Sequence, residues 1–222
     1  MTKSPEEPAI ATLPSVLPVA LKIEGRPCLV VGAGNVGARK SRDLLSAGGV
    51  VTIVSPNVSD YVRELLRDEP QVTLIERSFR PSDLDGVFLV ITTTGDISVD
   101  ELVAKESEQR NILYNSADDP ERCNFYLTAL VRRDPVVVSI STAGASPALA
   151  SYLRRRLDAA LEPALAETAL ILHSVRVQLH DEGVRTEFLP WANVVNDDLV
   201  SLVASGDHAG ARDHVLRTVR PT

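Results

Sequence analysis

The sequence predicts an α/β fold, a Rossmann-type doubly wound parallel sheet, with a small C-terminal helical domain after it. Three observations predict it. Short, β-branched and almost wholly apolar runs alternate with helical stretches up to about residue 142, as strands do when crossover helices cover both faces of a sheet. A glycine-rich loop stands between the first such run and the first helical stretch. Beyond Pro147 the strand signals stop and leucines recur every four residues, the spacing of a helix face.

Element by element, Pro5, Pro8, Pro14 and two adjacent glutamates mark residues 1 to about 16 as a mobile leader. Candidate strands follow at 27–32 (PCLVVG), 50–54 (VVTIV), 72–75 (VTLI), 87–91 (VFLVI), 112–114 and 136–140 (VVVSI). Between them, helices are expected at 36–47, 59–68 and 98–109. Ser98, with Glu101 three residues later, has the form of a capping box at the third start. Leu149, Leu153, Leu157 and Leu161 make one apolar stripe, residues 164–180 continue helically, and short helices at 194–204 and 208–219 flank Gly206 and Asp207. The expected division is a leader at 1–16, a dinucleotide-binding domain at 17–125, a last strand and connecting segment at 126–147, and a helical domain at 148–222.

Composition narrows the function. Of 222 residues, 44% are hydrophobic and 24% charged, enough apolar content for a packed core. The net charge of −7 argues against nucleic acid or an anionic membrane as partner, since either calls for a basic field. No apolar run is long enough to span a bilayer, and the first residues lack the basic-then-apolar order of a secretory signal. Two cysteines, Cys28 and Cys123, are too few for a disulfide framework or a cysteine metal site, so a cytoplasmic setting is expected.

Gly32-Ala33-Gly34-Asn35-Val36-Gly37 is a GxGxxG loop. Glycines there allow a tight turn and close backbone approach to a pyrophosphate, and the following helix offers free N–H groups and the positive end of its dipole. Gly32, Gly34, Asn35, Val36 and Gly37 are therefore candidate cofactor residues. The acidic residue that commonly binds a ribose is due near the end of the second strand, but the sequence there reads Val54-Ser55-Pro56-Asn57. Ser55 or Asn57 could bond the ribose, and with neither acid nor arginine present this test leaves NAD and NADP both open.

Ligands of open parallel sheets bind beyond the carboxyl ends of the strands. Besides the glycine loop, Thr92-Thr93-Thr94-Gly95-Asp96 and Asn115-Ser116-Ala117-Asp118-Asp119-Pro120 reach that rim. Thr92, Thr93 and Thr94 are candidate cofactor contacts. Asp118 could act as a base there, although an aspartate before a proline also caps turns routinely. His173, His180, His208 and His214 all fall in the helical tail, at spacings that do not suit a metal pair, and no resident metal is expected.

Three ordered segments, VVGAGNVGARK at 30–40, NSADDPERCNF at 115–125 and SISTAGASPAL at 139–149, resemble the siroheme synthase N-terminal family. The likeness extends over roughly residues 16–220, including Arg185, Phe188 and Trp191. It implies NAD-dependent oxidation of precorrin-2 to sirohydrochlorin in siroheme biosynthesis. Many members also insert ferrous iron into sirohydrochlorin, acting as ferrochelatases. The resemblance places the catalytic aspartate of the family's N-x-x-D element on Asp118, with Asn115 at its start. It makes the glycine loop an NAD site, and Ser141, Thr142 and Ser146 substrate-side positions. Thr142 stands where some members carry a phosphorylatable serine. The family's methyltransferase domain has no counterpart in these 222 residues, so fused uroporphyrinogen methylation is not expected. A homodimer built on the segment between Phe125 and Ala145 and on the leucine-striped helix is also implied.

A substrate rich in carboxylates calls for cations, and the chain holds 19 arginines against four lysines. Guanidinium forks suit carboxylates. Arg132-Arg133 and Arg154-Arg155-Arg156 cluster after the sheet. Consecutive helical residues point along different azimuths, so one or two of the triplet can face a single cleft, and Arg154 is the candidate. The competing function is a non-catalytic NAD(H)-binding sensor, which would have no use for a positioned base at Asp118.

Overall fold

A computed structural model describes residues 14–220. Residues 1–13 of the expected leader lie outside the described residues, and 14–22 run exposed without helix or strand. Two compact units divide at Leu127/Thr128.

The first unit contains β1 (Pro27–Ala33), α1 (Asn35–Ser46), β2 (Val50–Val58), α2 (Asp60–Asp68), β3 (Thr73–Ile75), β4 (Leu89–Thr92), α3 (Ile97–Gln109) and β5 (Leu113–Ser116). Its five strands are all parallel, in the order β3-β2-β1-β4-β5. Strand alternation sends Cys28 and Val30 to one face, where they pack with Ala38 and Leu44 of α1 and Val62 and Leu65 of α2. Leu29 and Val31 face the other way, onto Val90, Tyr114 and Val103 of α3. Burial on both faces is why these strands read as continuous apolar runs. The chain leaves β1 toward β2 on one side and reaches β4 on the other, so the strand order reverses between β1 and β4. That reversal opens a crevice at their carboxyl ends.

The helices predicted at 36–47, 59–68 and 98–109 lie within one residue of α1, α2 and α3, whereas the helix predicted at 194–204 begins only at Asp197. The start of α3 is also capped differently. Asp96, not Ser98, is the N-cap, and its carboxylate accepts from the N–H groups of Ser98 and Val99. Glu101 pairs instead with Arg122, 2.9 Å away.

The second unit begins with β6 (Ala129–Arg133) and β7 (Val136–Ile140), an antiparallel two-stranded sheet of its own. The expectation of 136–140 as a further strand of the parallel sheet is thus corrected. Asp134 and Pro135 alone connect β6 to β7, and so short a link can join only antiparallel neighbours. Residues 129–133 escaped notice as a strand because Arg132 and Arg133 break the apolar run. Helix α4 (Pro147–Ala160) lies against the hairpin and buries none of its residues fully. The remaining helices, α5 (Ala164–Asp181), α6 (Trp191–Val194), α7 (Asp197–Ala204) and α8 (His208–Val219), close a second core around Val175, Leu179, Leu199, Val203 and Val215. Asn196 and Asp207 cap α7 and α8 by accepting from the N–H groups of Leu199 and Gly210.

Candidate active site

The glycine loop ends β1 and opens α1, and its three glycines do different work. Gly32 has φ +108°, and a Cβ there would lie 2.7 Å from the Thr93 carbonyl oxygen. A Cβ on Gly37 would collide with the Gly32 carbonyl. These two serve packing. Around Gly34 a Cβ would meet nothing within 4 Å, so that position faces open space. Gly34 is also the N-cap of α1, which has no side-chain cap and no acidic residue in its first turn. Asn35 and Val36 are exposed beside it. An uncapped, acid-free helix start facing open space fits the pyrophosphate of a dinucleotide.

The threonines after β4 are largely committed to the fold. Thr92 is buried, with its hydroxyl 3.2 Å from the Tyr114 hydroxyl. Thr93 fastens the loop to β1, its N–H donating to the Val31 carbonyl at 2.8 Å and its hydroxyl to the Gly32 carbonyl at 3.2 Å. Thr94 donates to the Asp100 carboxylate at 2.7 Å. Ser55 is buried, and its hydroxyl donates to the Asn57 carbonyl at 2.7 Å. It shapes the bulge where the β1–β2 register slips, which leaves Asn57 as the exposed polar side chain at the end of β2.

Asp118 lies on the turn after β5, at the same carboxyl rim and two strands from β1, about 10 Å at strand spacing. It is exposed, and its carboxylate forms no hydrogen bond or ion pair with the described residues. Its own N–H donates to the Ser116 hydroxyl at 3.3 Å, and the N–H of Asp119 does so at 3.1 Å. The two adjacent aspartates therefore part company. Asp119 is engaged, 3.3 Å from Arg122, while Asp118 does not cap the turn on which it sits.

Asn115 is buried and presents no free donor: its amide donates to the Phe125 carbonyl at 3.0 Å and contacts the Cys123 sulfur at 3.5 Å. Its place is beneath the rim. Asn124 closes the outer edge of β5, accepting from the Tyr114 N–H at 2.8 Å and donating to the Ile112 carbonyl at 3.0 Å. Both cysteines are free thiols. Burial pushes Cys28 up to about 11 and Cys123 in the same direction, which leaves neither a ready nucleophile at neutral pH. A cleft of about 440 Å³ runs along α3, lined by Glu101, Lys105, Glu108, Arg122 and Asn124 among others. It shares no lining residue with the glycine loop or Asp118.

In the second unit, the segment from Ser141 to Ser146 is a tight turn with positive φ at Ala143 and Gly144. The Thr142 hydroxyl donates to the Ser146 carbonyl and accepts from its N–H, both at 3.2 Å. Ser146 caps α4 through the Leu149 N–H, and Ser141 accepts from the Ala143 N–H. All three hydroxyls thus shape this turn. Arg154 is half-buried, whereas Arg155 and Arg156 are exposed. Arg133 is tied to Asp158 at 2.9 Å. Among the described residues no three histidines, cysteines or acids gather as a metal group, and no helix is long and apolar enough to cross a membrane.

Residues 19–129 match the family model described as "Putative NAD(P)-binding", and residues 133–160 match "Sirohaem biosynthesis protein central". The chain belongs to the siroheme synthase N-terminal family. The first unit of this family member is a nicotinamide-dinucleotide-binding domain. The chain is 33% identical over 210 residues to a siroheme synthase of Photobacterium profundum, covering 93% of this chain and 44% of that protein. It is 36% identical over 203 residues to "Siroheme synthase 1" of Yersinia enterocolitica, covering 90% and 42% respectively. It thus spans less than half the length of these relatives. Among solved structures, "SirC, precorrin-2 dehydrogenase" shares the fold, with a TM-score of 0.71 and 24% identity over 89% of this chain and 99% of that one.

The sequence did not single out Asp100. It is 4% exposed, in the first turn of α3, and takes hydroxyl hydrogens from Thr94 and Ser116. An aspartate in a first helical turn is too ordinary a feature to announce itself.

Proposed function

We propose that this chain oxidises precorrin-2 to sirohydrochlorin with NAD as the acceptor, as an NAD-dependent oxidoreductase of siroheme biosynthesis. The observation that carries the proposal is the uncommitted carboxylate of Asp118 on the same rim as the open helix start at Gly34. Gly34, Asn35, Val36 and the N–H groups of the first turn of α1 would hold the pyrophosphate. Asn57 is the polar side chain available to the ribose. Between Val50 and Val58 there is neither an acid for a 2′-hydroxyl nor a cation for a 2′-phosphate, so the choice of NAD rests on the family resemblance of the glycine loop.

A nicotinamide bound there would supply the acceptor for a hydride, one hydrogen nucleus with its electron pair, from the macrocycle. Asp118 accepts the accompanying proton and, being exposed, passes it to solvent. In the same reading Asp118 serves as base when ferrous iron, a substrate, displaces two pyrrole N–H protons from sirohydrochlorin. The macrocycle nitrogens themselves hold the metal. Arg154 is kept as a candidate for a substrate carboxylate, and Arg154→Ala is expected to raise KM for precorrin-2 with little change in kcat. Leu130, Val137, Leu149, Tyr152 and Leu157 are exposed on the hairpin and α4. They support a homodimer through this face, and sedimentation equilibrium should then give twice the chain mass.

The test is incubation with precorrin-2 and either NAD or NADP, following reduced nucleotide and the product's absorbance together. NAD-dependent appearance of both supports the proposal. Intact NAD binding without turnover would contradict it and favour a sensor.

A further inference from the structure

We infer that Asp100 is a positioning residue, holding the turn that carries Asp118 through the hydroxyl of Ser116. The inference rests on reading Asp118 as the base.

Burying a carboxylate is costly unless its oxygens are satisfied, and here each oxygen has a hydroxyl partner. Oδ1 accepts from Thr94 at 2.7 Å and Oδ2 from Ser116 at 3.3 Å. These partners come from the ends of neighbouring strands, so Asp100 ties the β4 loop to the β5 turn from below. Asp100 is itself anchored: its carbonyl accepts from the Tyr114 hydroxyl at 3.2 Å, and its N–H donates to the Asp96 carbonyl at 3.0 Å.

A serine hydroxyl has one hydrogen and two lone pairs. Facing a carboxylate, which can only accept, Ser116 must spend its hydrogen on Asp100. Both lone pairs then point the other way, where the N–H groups of Asp118 and Asp119 donate into them at 3.3 and 3.1 Å. The hydroxyl is saturated, and the direction of every bond follows from Asp100 being an acceptor. Remove that acceptor and Ser116 can rotate, which releases the two amides that fix the backbone at the base.

Asparagine can replace this function with its amide oxygen toward Ser116 and its nitrogen donating to Thr94. The Thr94 hydrogen then turns to the Asp96 carbonyl, 3.2 Å away. Alanine cannot replace it.

The test combines backbone amide exchange by NMR with kinetics, on Asp100→Ala, Ser116→Ala, Asp100→Asn and Asp118→Ala. In Asp100→Ala and Ser116→Ala, the amides of 118 and 119 should exchange faster and kcat should fall on the order of 10- to 100-fold, as misplacement of a reacting group does. NAD affinity should change little. Asp100→Asn should recover most of both losses. Added to Asp118→Ala, Asp100→Ala should cost nothing further, since both act through one group. Unchanged exchange at 118 and 119, or a kcat loss that multiplies with that of Asp118→Ala, overturns the inference alone. A wild-type rate in Asp118→Ala overturns the base reading, and the inference with it. Ser116→Ala carries the test should Asp100→Ala not fold.

Discussion

The glycine loop and the Asp118 turn sit on the same rim of the sheet and are built in opposite ways. The loop works by leaving side chains out, so that backbone N–H groups at the start of α1 face open space. The turn works by side chains placed beneath it: Ser116 holds two amides, Asp100 holds Ser116, and Thr94 and Tyr114 hold Asp100. One half of the site is local in sequence, within six consecutive residues. The other is assembled from the ends of two strands and the first turn of a helix.

Within the loop the glycines can be set against one another. Gly32→Ala is expected to have the largest effect, since it combines a positive φ with a Cβ 2.7 Å from backbone oxygen. It should cost on the order of 3 kcal/mol, visible as a lower denaturation midpoint. Gly34→Asp should do the reverse. With nothing within 4 Å and an N-cap position to fill, stability should hold or rise by a few tenths of a kcal/mol. NAD affinity should nevertheless fall about tenfold or more, because the carboxylate meets phosphate where the helix end would. Equal stability losses in both variants would break the division of labour among the glycines.

On the other side, the smallest expected effect concerns Asp96. Hydrogen bonds from the Ser98 hydroxyl and from the Ser98 and Val99 N–H groups hold its carboxyl below the usual range. A carboxyl depressed in the folded state stabilises fully above its unfolded pKa, about 3.9, and the benefit vanishes as pH falls through the lower folded value. The melting temperature of Asp96→Ala should therefore sit below wild type by a constant amount near neutral pH. The gap should close below about pH 4. A gap independent of pH would show that the charge on the cap contributes nothing.

What was legible follows the same divide. The central strands β1, β2 and β4 announce themselves because they are buried on both faces, and Gly32, Gly34 and Gly37 because their spacing is a motif with a mechanism. Asp118 stood out by its place after the fifth strand and by resemblance. Asp100 did not, because its role depends on Thr94 and Ser116 arriving beside it only when β4 and β5 pair. Asn115 and Ser55 were visible as polar residues near strand ends, yet nothing in one dimension says that their side chains turn inward to backbone carbonyls. The β6–β7 hairpin was missed for a similar reason, since the run at 136–140 does not state which partner it pairs with.

The account stands on Asp118 acting as a base beside a bound dinucleotide, and Asp118→Ala tests it most directly. Turnover of precorrin-2 with NAD and equilibrium binding of NAD should be measured on the same preparation. The expected result is a kcat lower by roughly 10²- to 10⁴-fold, the usual worth of a general base, with an NAD Kd within about twofold, well under 1.4 kcal/mol. An unchanged kcat, or a loss of turnover that merely follows a loss of NAD binding, would contradict it.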